Sequence, residues 1–329
     1  MSAVELIDRA HADGGKVTSF SSVCGGLPAP ECASTTPLAY KFSWSPAGVL
    51  AACHNPALYL EAGAEVSVAA ERLLHSATPL DAGRLGRAFR LEVLPNRDSI
   101  PYGKLYGIGE EATSVFRGTL RYAGWSELFS MFVTMGLTAK KPVPDGVQTW
   151  PELLTALGVP LEQSECASVQ QARAVDALHW LGAISGGGTA GGSAGGGGAG
   201  GRAVGSHVLV SDAFCALLSE QLSYGPGERD AVYMEHTLRV EYSSDSGKPP
   251  ELISSSLVGY GEPDGATCMS RTVGITAALG VARLLEAPTA DAPVLSGVLR
   301  PTLATVYKYC LPRLADEGLA FEENVARAP

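Results

Sequence analysis

Apolar positions recur along the chain at helical spacing in some segments and at strand spacing in others. Residues 4–11 carry an apolar side chain every three or four positions, and Gly14 and Gly15 end the predicted helix. Residues 16–24 alternate and are rich in β-branched side chains, which predicts a strand. The same criteria predict four further strands and three further helices, the strands over residues 87–94, 113–122, 229–242 and 252–260 and the helices over residues 125–135, 169–181 and 211–222.

The order of these elements predicts an α+β (mixed α/β) fold, in which helices flank a mixed sheet, because strands and helices are interspersed without a strict β-α-β repeat. Two more helices follow the last predicted strand. One opens at Ser270, and the other has Pro301 in its first turn, where proline is favoured. We therefore expect residues 1–265 to form the main domain and residues 266–329 to form a C-terminal helical segment.

Residues 186–201 interrupt this pattern with the sequence GGGTAGGSAGGGGAGG. Such a stretch loses much backbone entropy on ordering and offers little to pack, so we predict a disordered insertion. It contains spacings similar to GxGxxG, but a dinucleotide-binding loop also needs a buried strand before it and a helix after it. Because neither flanks these glycines, we do not expect the insertion to bind a nucleotide.

Charge and cysteine usage narrow the possible functions. The 329 residues include 24 Lys and Arg against 34 Asp and Glu, a net charge of −10, so we expect neither nucleic acid nor an anionic membrane as a partner. The seven cysteines contain no CxxC pair and the histidines no HxH or HExxH motif, so we expect no metal site. No apolar stretch is expected to reach the length of a membrane span. These features predict a cytoplasmic protein with reduced thiols.

Three predicted strand-end loops, at residues 24–31, 95–99 and 117–122, contain residues suited to binding. Arg97 and Arg121, in two of these loops, can each bind a carboxylate through two parallel hydrogen bonds. The alternative is that each arginine pairs with a nearby acid, such as Asp98, in a structural salt bridge. The sequence leaves both interpretations open.

Two other side chains are candidates for chemistry. Cys24, beside a Gly-Gly pair, is a candidate nucleophile or proton donor, although no histidine lies near it in sequence and free cysteines are commonly buried hydrophobic residues. Trp44 can stack on a flat ring or fill the core. We interpret the isolated histidines as structural or surface residues, namely His54, His179 and His236.

Four motifs follow one another along the chain: CGGLPAPE at 24–31, PLAYKFSWSPAGVL at 37–50, PNRDS at 95–99 and RGTLRYAGW at 117–125. Their sequences and their order resemble those of the saccharopine dehydrogenases of the glutamate-forming type. The resemblance covers nearly the whole chain, apart from the glycine-rich insertion and the last few dozen residues.

The resemblance implies a domain organisation. In that family a Rossmann domain comes first and binds NAD or NADP, a second domain binds saccharopine and forms a homodimer, and a C-terminal segment returns to the Rossmann domain. Met1 aligns near the start of the second domain. Residues 1–265 would then be the substrate-binding and dimerisation domain, and residues 266–329 would pack on a Rossmann domain absent from this chain. That domain would bind most of the NAD or NADP.

The resemblance also implies roles for individual residues. Arg97 would bind a substrate carboxylate, and the same pocket would be lined by three neighbours in sequence, Thr119, Leu120 and Arg121. Trp44 would lie against the cofactor. Cys24 would lie close to the reacting amine, with a proposed acid–base role.

We therefore expect an oxidoreductase of the lysine (aminoadipate) pathway that oxidises saccharopine to glutamate and aminoadipate semialdehyde, with this chain supplying the substrate half. The chain is expected to be inactive unless a Rossmann domain comes from elsewhere, for example from a separate chain. The alternative is a dimerisation or binding module, derived from such an enzyme, that has no catalytic activity.

Overall fold

A computed structural model describes residues 1–184, 201–286 and 296–328 of the protein. The chain folds into two units, each with its own core. The sheet unit consists of the described parts of Met1–Leu27, Asn55–Arg121 and Pro226–Pro329, and the helical unit consists of those of Pro28–His54 and Tyr122–Gly225. The disordered insertion predicted at residues 186–201 lies outside the described residues, apart from Gly201.

The described residues contain strands and helices throughout. The strands are β1 (Gly15–Pro28), β2 (Ala57–Glu61), β3 (Ala64–Val68), β4 (Thr78–Pro79), β5 (Leu91–Pro95), β6 (Ser114–Tyr122), β7 (Asp230–Tyr242), β8 (Glu251–Tyr260) and β9 (Glu322–Arg327). The α-helices are α1 (Ser2–Ala12), α2 (Pro30–Ala33), α3 (Pro46–Ala52), α4 (Gly83–Ala88), α5 (Pro101–Leu105), α6 (Trp125–Thr134), α7 (Trp150–Ala156), α8 (Val169–Trp180), α9 (Val210–Gln221), α10 (Cys268–Leu285) and α11 (Ala304–Asp316).

The strands form one mixed sheet in the order β3-β2-β6-β1-β7-β8-β9, with β4 and β5 attached beside β6. β1 and β6 run parallel, whereas β2–β3, β7–β8 and β8–β9 are antiparallel pairs. The prediction of a mixed sheet flanked by helices is confirmed, and the strands predicted over residues 229–242 and 252–260 pair with each other as β7 and β8. The parallel pair matters for function because it brings two carboxyl ends to the same edge of the sheet.

Helix α1 covers the centre of the sheet. Leu6 and Ile7 of α1 are buried in a cluster with Phe20 of β1 and with Leu238 and Val240 of β7. The apolar spacing that predicted the helix therefore corresponds to the face that it buries. This packing gives the β1–β6 pair a rigid support on one face.

The core of the helical unit is built from aromatic side chains. Trp125 and Phe129 of α6 stack with ring centroids 4.5 Å apart, and Phe132 meets Phe214 of α9 at 5.3 Å. Trp150, at the start of α7, lies 6.5 Å from the same Phe214. These fully or nearly fully buried rings explain why α6 and α9 were predictable from their apolar faces.

Some predicted boundaries were wrong. β1 does not end at Cys24 but continues to Pro28, because Gly25, which was read as a loop residue, allows the strand to lie very close to β6. The last helix begins at Ala304, so Pro301 lies in the turn before it, a position where proline is equally favoured. β9 was not predicted, since its six residues are all exposed and carry no apolar alternation.

Helix α10 also differs from expectation. By length and composition alone it is able to cross a membrane, since its 18 residues have a mean hydropathy of 1.2. The helix itself was predicted to open at Ser270, but the expectation that no apolar stretch reaches the length of a membrane span is wrong here, because alanines and glycines, rather than large apolar residues, fill much of the segment. Two arginines attach the helix to its neighbours: Arg271 donates to the carbonyl of Glu317 at 2.9 Å, and Arg283 donates to the carbonyl of Thr305 at 3.3 Å.

Candidate functional site

The carboxyl ends of β1 and β6 form the centre of the candidate site. Cys24 of β1 lies directly opposite Thr119 of β6 in the parallel ladder. One residue further, Gly25 approaches β6 so closely that an added Cβ would stand 2.8 Å from the Cβ of Leu120. A glycine is therefore required here, and the Gly-Gly pair of the sequence is explained by strand packing.

The loop carrying Arg97 is held beside these strand ends by main-chain hydrogen bonds. The amide of Asn96 donates to the carbonyl of Arg117 at 2.9 Å, and the amide of Leu58 donates to the carbonyl of Arg97 at 2.9 Å. The amide of Ser99 donates to the carbonyl of Leu58 at 2.7 Å. The loop is thus fixed to β2 on one side and to β6 on the other, which positions Arg97 relative to the sheet.

Arg97 itself has an unusual backbone. Its φ is +52°, in the left-handed region that non-glycine residues adopt at a cost of about 1 kcal/mol or more. Its side chain is exposed. The strained backbone makes Arg97 a candidate for a functional side chain, and its contact with a substrate stays a prediction.

The salt-bridge alternative for Arg97 is not what the structure shows. The Oδ1 atom of Asp98 accepts a hydrogen bond from the amide of Ile100 at 3.0 Å. The Asp98 carboxylate therefore stabilises the turn of its own loop. Within the part of the chain that the structure describes, Arg97 forms no ion pair with Asp98 or with any other acid. Its guanidinium remains available to an external anion.

Arg121, unlike the exposed Arg97, is buried. It is 4% exposed at the end of β6, and its Nη1 atom donates to the carbonyl of Leu120 at 2.8 Å. Leu120 is fully buried. Thr119, Leu120 and Arg121 follow one another at the strand end beside Cys24, and the pocket that they are expected to line stays a prediction.

The thiol of Cys24 is protonated at neutral pH. Burial raises its pKa to about 11, while the guanidinium groups of Arg121 and Arg117 act in the opposite direction and do not compensate. A general base works best when its pKa lies near the working pH. Cys24 therefore suits the role of a neutral hydrogen-bond donor better than that of a base, and its acid–base role stays a prediction.

Two further residues lie beside the site: Arg117, which the sequence did not single out, and His236, which it interpreted as a structural or surface residue. The guanidinium of Arg117 lies over the ring of Tyr102, 4.0 Å from its centroid. The ring of His236 hydrogen-bonds to Ser22 and to Ser2, each at 3.0 Å, and burial lowers the pKa of His236 to about 4. His236 is therefore a neutral structural histidine, whereas Arg117 opens the RGTLR motif that also contains Thr119 and Arg121.

Trp44 belongs to the helical unit. Ser45 caps the following helix α3 by accepting from the amide of Gly48 at 3.2 Å, and an added Cβ on Gly48 would stand 2.8 Å from the Cζ3 atom of Trp44. The indole thus packs on the first turn of α3 and remains 40% exposed instead of entering the core. The contact of Trp44 with a cofactor stays a prediction.

Metal chemistry has no candidate among the described ranges. In them, no three His, Cys, Asp or Glu side chains are grouped so that they could hold a metal ion. All seven cysteines are free thiols.

Comparison with known proteins gives consistent matches. Residues 1–319 match the saccharopine dehydrogenase C-terminal domain. The saccharopine dehydrogenase [NADP(+), L-glutamate-forming] of Saccharomyces cerevisiae is 34% identical over 343 residues, a match that covers 98% of this chain and 70% of that protein. The solved apo structure of saccharopine dehydrogenase (L-Glu forming) from Saccharomyces cerevisiae superposes with a TM-score of 0.82 at 30% identity, covering 99% of this chain and 71% of that one.

Longer relatives match as well. The mitochondrial alpha-aminoadipic semialdehyde synthase of Bos taurus is 34% identical over 336 residues, covering 98% of this chain and 33% of that protein. The chain thus spans about a third of the length of the synthases that it matches. It spans about 70% of the fungal dehydrogenases.

Proposed function

Because the chain belongs to the saccharopine dehydrogenase C-terminal domain family, we propose that it supplies the substrate-binding half of a glutamate-forming saccharopine dehydrogenase of the lysine (aminoadipate) pathway. The observation that carries this proposal is Arg97. Its guanidinium is exposed and makes no ion pair among the described residues, and its strained backbone is fixed beside the strand end that bears Cys24 and Arg121. An exposed guanidinium that no described acid neutralises suits an anionic substrate.

Saccharopine fits that chemistry, since it is a secondary amine with three carboxylates. In the proposed reaction its CH₂–NH bond is oxidised, with the hydride leaving from carbon and a proton leaving from nitrogen, to give an imine. Water adds to the imine carbon, and the carbon–nitrogen bond then breaks to release glutamate and aminoadipate semialdehyde. Arg97 and Arg121 bind carboxylates and orient the reacting carbon, because a guanidinium stays charged throughout and cannot serve as the base.

The proton steps limit what this chain contributes. With a pKa of about 11, the Cys24 thiol keeps its proton and can donate a hydrogen bond to the substrate nitrogen or to the attacking water. It does not remove a proton efficiently near neutral pH. The reaction therefore needs a base other than Cys24, and the substrate amine in its neutral form can serve as one.

The nicotinamide cofactor, NAD or NADP, supplies the hydride acceptor when it is bound. We propose that Trp44 lies against it through the exposed indole face, and that most cofactor contacts come from a Rossmann domain outside this chain. The chain spans about 70% of the fungal dehydrogenase that it matches.

Assembly and location follow as further parts of the proposal. We propose a homodimer, as the family resemblance implies, and a cytoplasmic location, which the seven free thiols support because thiols persist in a reducing compartment.

The experiment is a calorimetric titration of the purified chain with saccharopine, with glutamate as the control ligand, together with an assay for NAD(P)H formation by the chain alone. We expect saccharopine to bind weakly and more tightly than glutamate, and no NAD(P)H to form. Absence of saccharopine binding would contradict the proposal and favour the non-catalytic dimerisation module. Turnover by the chain alone would contradict the assignment of the cofactor to another domain.

A further inference from the structure

Arg117 is a partly buried arginine of β6 that the family motifs leave without a role. Its guanidinium lies over Tyr102, with the guanidinium carbon 4.0 Å from the ring centroid. In the part of the chain that the structure describes, its side chain has no ion pair and no hydrogen bond, and this ring contact is what holds it. A positive charge is thus kept in place without being neutralised.

Stacking on an aromatic ring leaves the binding capacity of an arginine intact. The ring covers one flat face of the guanidinium, whereas the N–H donors lie in its plane and point away from its edge. The stack also restricts the side chain, so less rotamer freedom is lost when an anion binds. Arg117 is therefore prepared to bind a carboxylate through two hydrogen bonds.

The position of Arg117 along β6 fits one end of an elongated substrate. Arg117, Thr119 and Arg121 share one face of the strand, because side chains alternate, and the two arginines are about 13 Å apart along it. Cys24 lies opposite Thr119, midway between them. Two cations that flank a central thiol match a molecule with carboxylates at both ends and a secondary amine between them.

The main chain of Arg117 also fixes its distance from Arg97. Its amide donates to the Oγ atom of Ser99 at 3.1 Å, and its carbonyl accepts from the amide of Asn96 at 2.9 Å. The loop residues on both sides of Arg97 are thus bonded to Arg117. The two arginines belong to one rigid arrangement rather than to independent surface segments.

We propose that Arg117, held by Tyr102, binds one of the three substrate carboxylates, at the end of the pocket opposite to Arg121. This rests on the proposed function, since it assumes that saccharopine is the ligand. Arg97, Arg117 and Arg121 then provide one cation for each carboxylate. Arg117 becomes a specificity-determining residue that separates a tricarboxylate from a dicarboxylate of similar length.

The test is a calorimetric comparison of four ligands, namely saccharopine and the three analogues in which one carboxylate is a carboxamide. They are titrated into the wild-type chain, Arg117→Gln and the control Arg72→Gln, which removes an exposed arginine from another part of the sheet unit. We expect Arg117→Gln to weaken saccharopine binding by roughly tenfold to a hundredfold, the range for losing hydrogen bonds to a charged group, with no loss in Arg72→Gln. One carboxamide analogue should bind the wild-type chain as weakly as saccharopine binds Arg117→Gln. The affinity of that analogue should not fall further in Arg117→Gln.

The outcomes separate this inference from the proposed function. If the wild-type chain binds no saccharopine, both are overturned. If the wild type binds saccharopine and Arg117→Gln binds it equally well, or weakens all four ligands by the same factor, the assignment of Arg117 is overturned while the proposed function stands. Tyr102→Leu provides a second variant, for which we expect a smaller loss with the same analogue selectivity. Thermal unfolding of each variant serves as the folding control.

Discussion

Cys24 of β1 and Thr119 of β6 face each other across two parallel strands, and the next residue of β1, Gly25, lies against Leu120. This register sets the geometry of the candidate site, because it places Cys24 at the end of β1 beside the predicted pocket residues at the end of β6. The Gly-Gly pair beside Cys24 therefore acts through strand spacing. Any change that pushes β1 away from β6 is expected to disturb both stability and binding.

The first prediction concerns Gly25→Ala. The added Cβ would stand 2.8 Å from Leu120 Cβ and 2.9 Å from the Leu120 carbonyl oxygen, so we expect a loss of about 1–3 kcal/mol in the free energy of unfolding. The matched control is Gly274→Ala in α10, where nothing lies within 4 Å and a gain of about 0.5–1 kcal/mol is expected. Urea denaturation measures both. Equal stability of the wild type and Gly25→Ala would show that the strands are not so close.

The second prediction concerns the reactivity of Cys24. With its pKa raised to about 11, only a small fraction of the thiol is ionised near neutral pH, and alkylation by iodoacetamide requires the thiolate. We expect the alkylation rate of Cys24, followed by peptide mass spectrometry, to rise about tenfold per pH unit up to roughly pH 9.5 without a plateau. Arg121→Gln should slow it further, since the guanidinium lowers the pKa of the thiol. A plateau well below pH 9 is the result that would count against the burial of this thiol.

The third prediction concerns His236 and acid stability. Burial lowers its pKa from 6.5 to about 4, so between these values the unfolded chain binds a proton that the folded chain does not. The contribution of His236 is complete above pH 6.5 and is lost as the pH falls towards 4, at most roughly 3 kcal/mol. We expect His236→Gln to flatten this pH dependence in urea denaturation, and the exposed-histidine control His75→Gln to leave it unchanged. An unchanged slope in His236→Gln would place the acid sensitivity elsewhere.

Much of the fold was predictable because its elements bury one face. β6, β7, β8 and α6 begin and end within about two residues of the predicted positions. The β2–β3 hairpin and β9 were not predicted, for physical reasons. The turn of the hairpin places Ala62 at a φ of +48°, where asparagine or glycine would have given a signal, and β9 is an exposed, charged edge strand held by main-chain bonds to β8.

The candidate site was predictable to the extent that its residues lie in recognisable motifs. Composition and spacing alone left Arg97 undecided between a salt bridge with Asp98 and an external carboxylate, because side-chain partners depend on a backbone conformation that the sequence does not reveal. The positive φ of Arg97 and the stacking of Arg117 on Tyr102 are visible only in the structure. Both arise from contacts between segments that are distant along the chain.

The central claim, that Arg97 is kept to bind a substrate carboxylate, is tested most directly by comparing Arg97→Gly with Ala62→Gly. Both positions have a positive φ, at +52° and +48°, so each glycine relieves backbone strain and is expected to stabilise the fold by about 0.5–1 kcal/mol. Calorimetric titration with saccharopine should show binding by the wild type and Ala62→Gly and none by Arg97→Gly. Equal binding by all three chains would contradict the account.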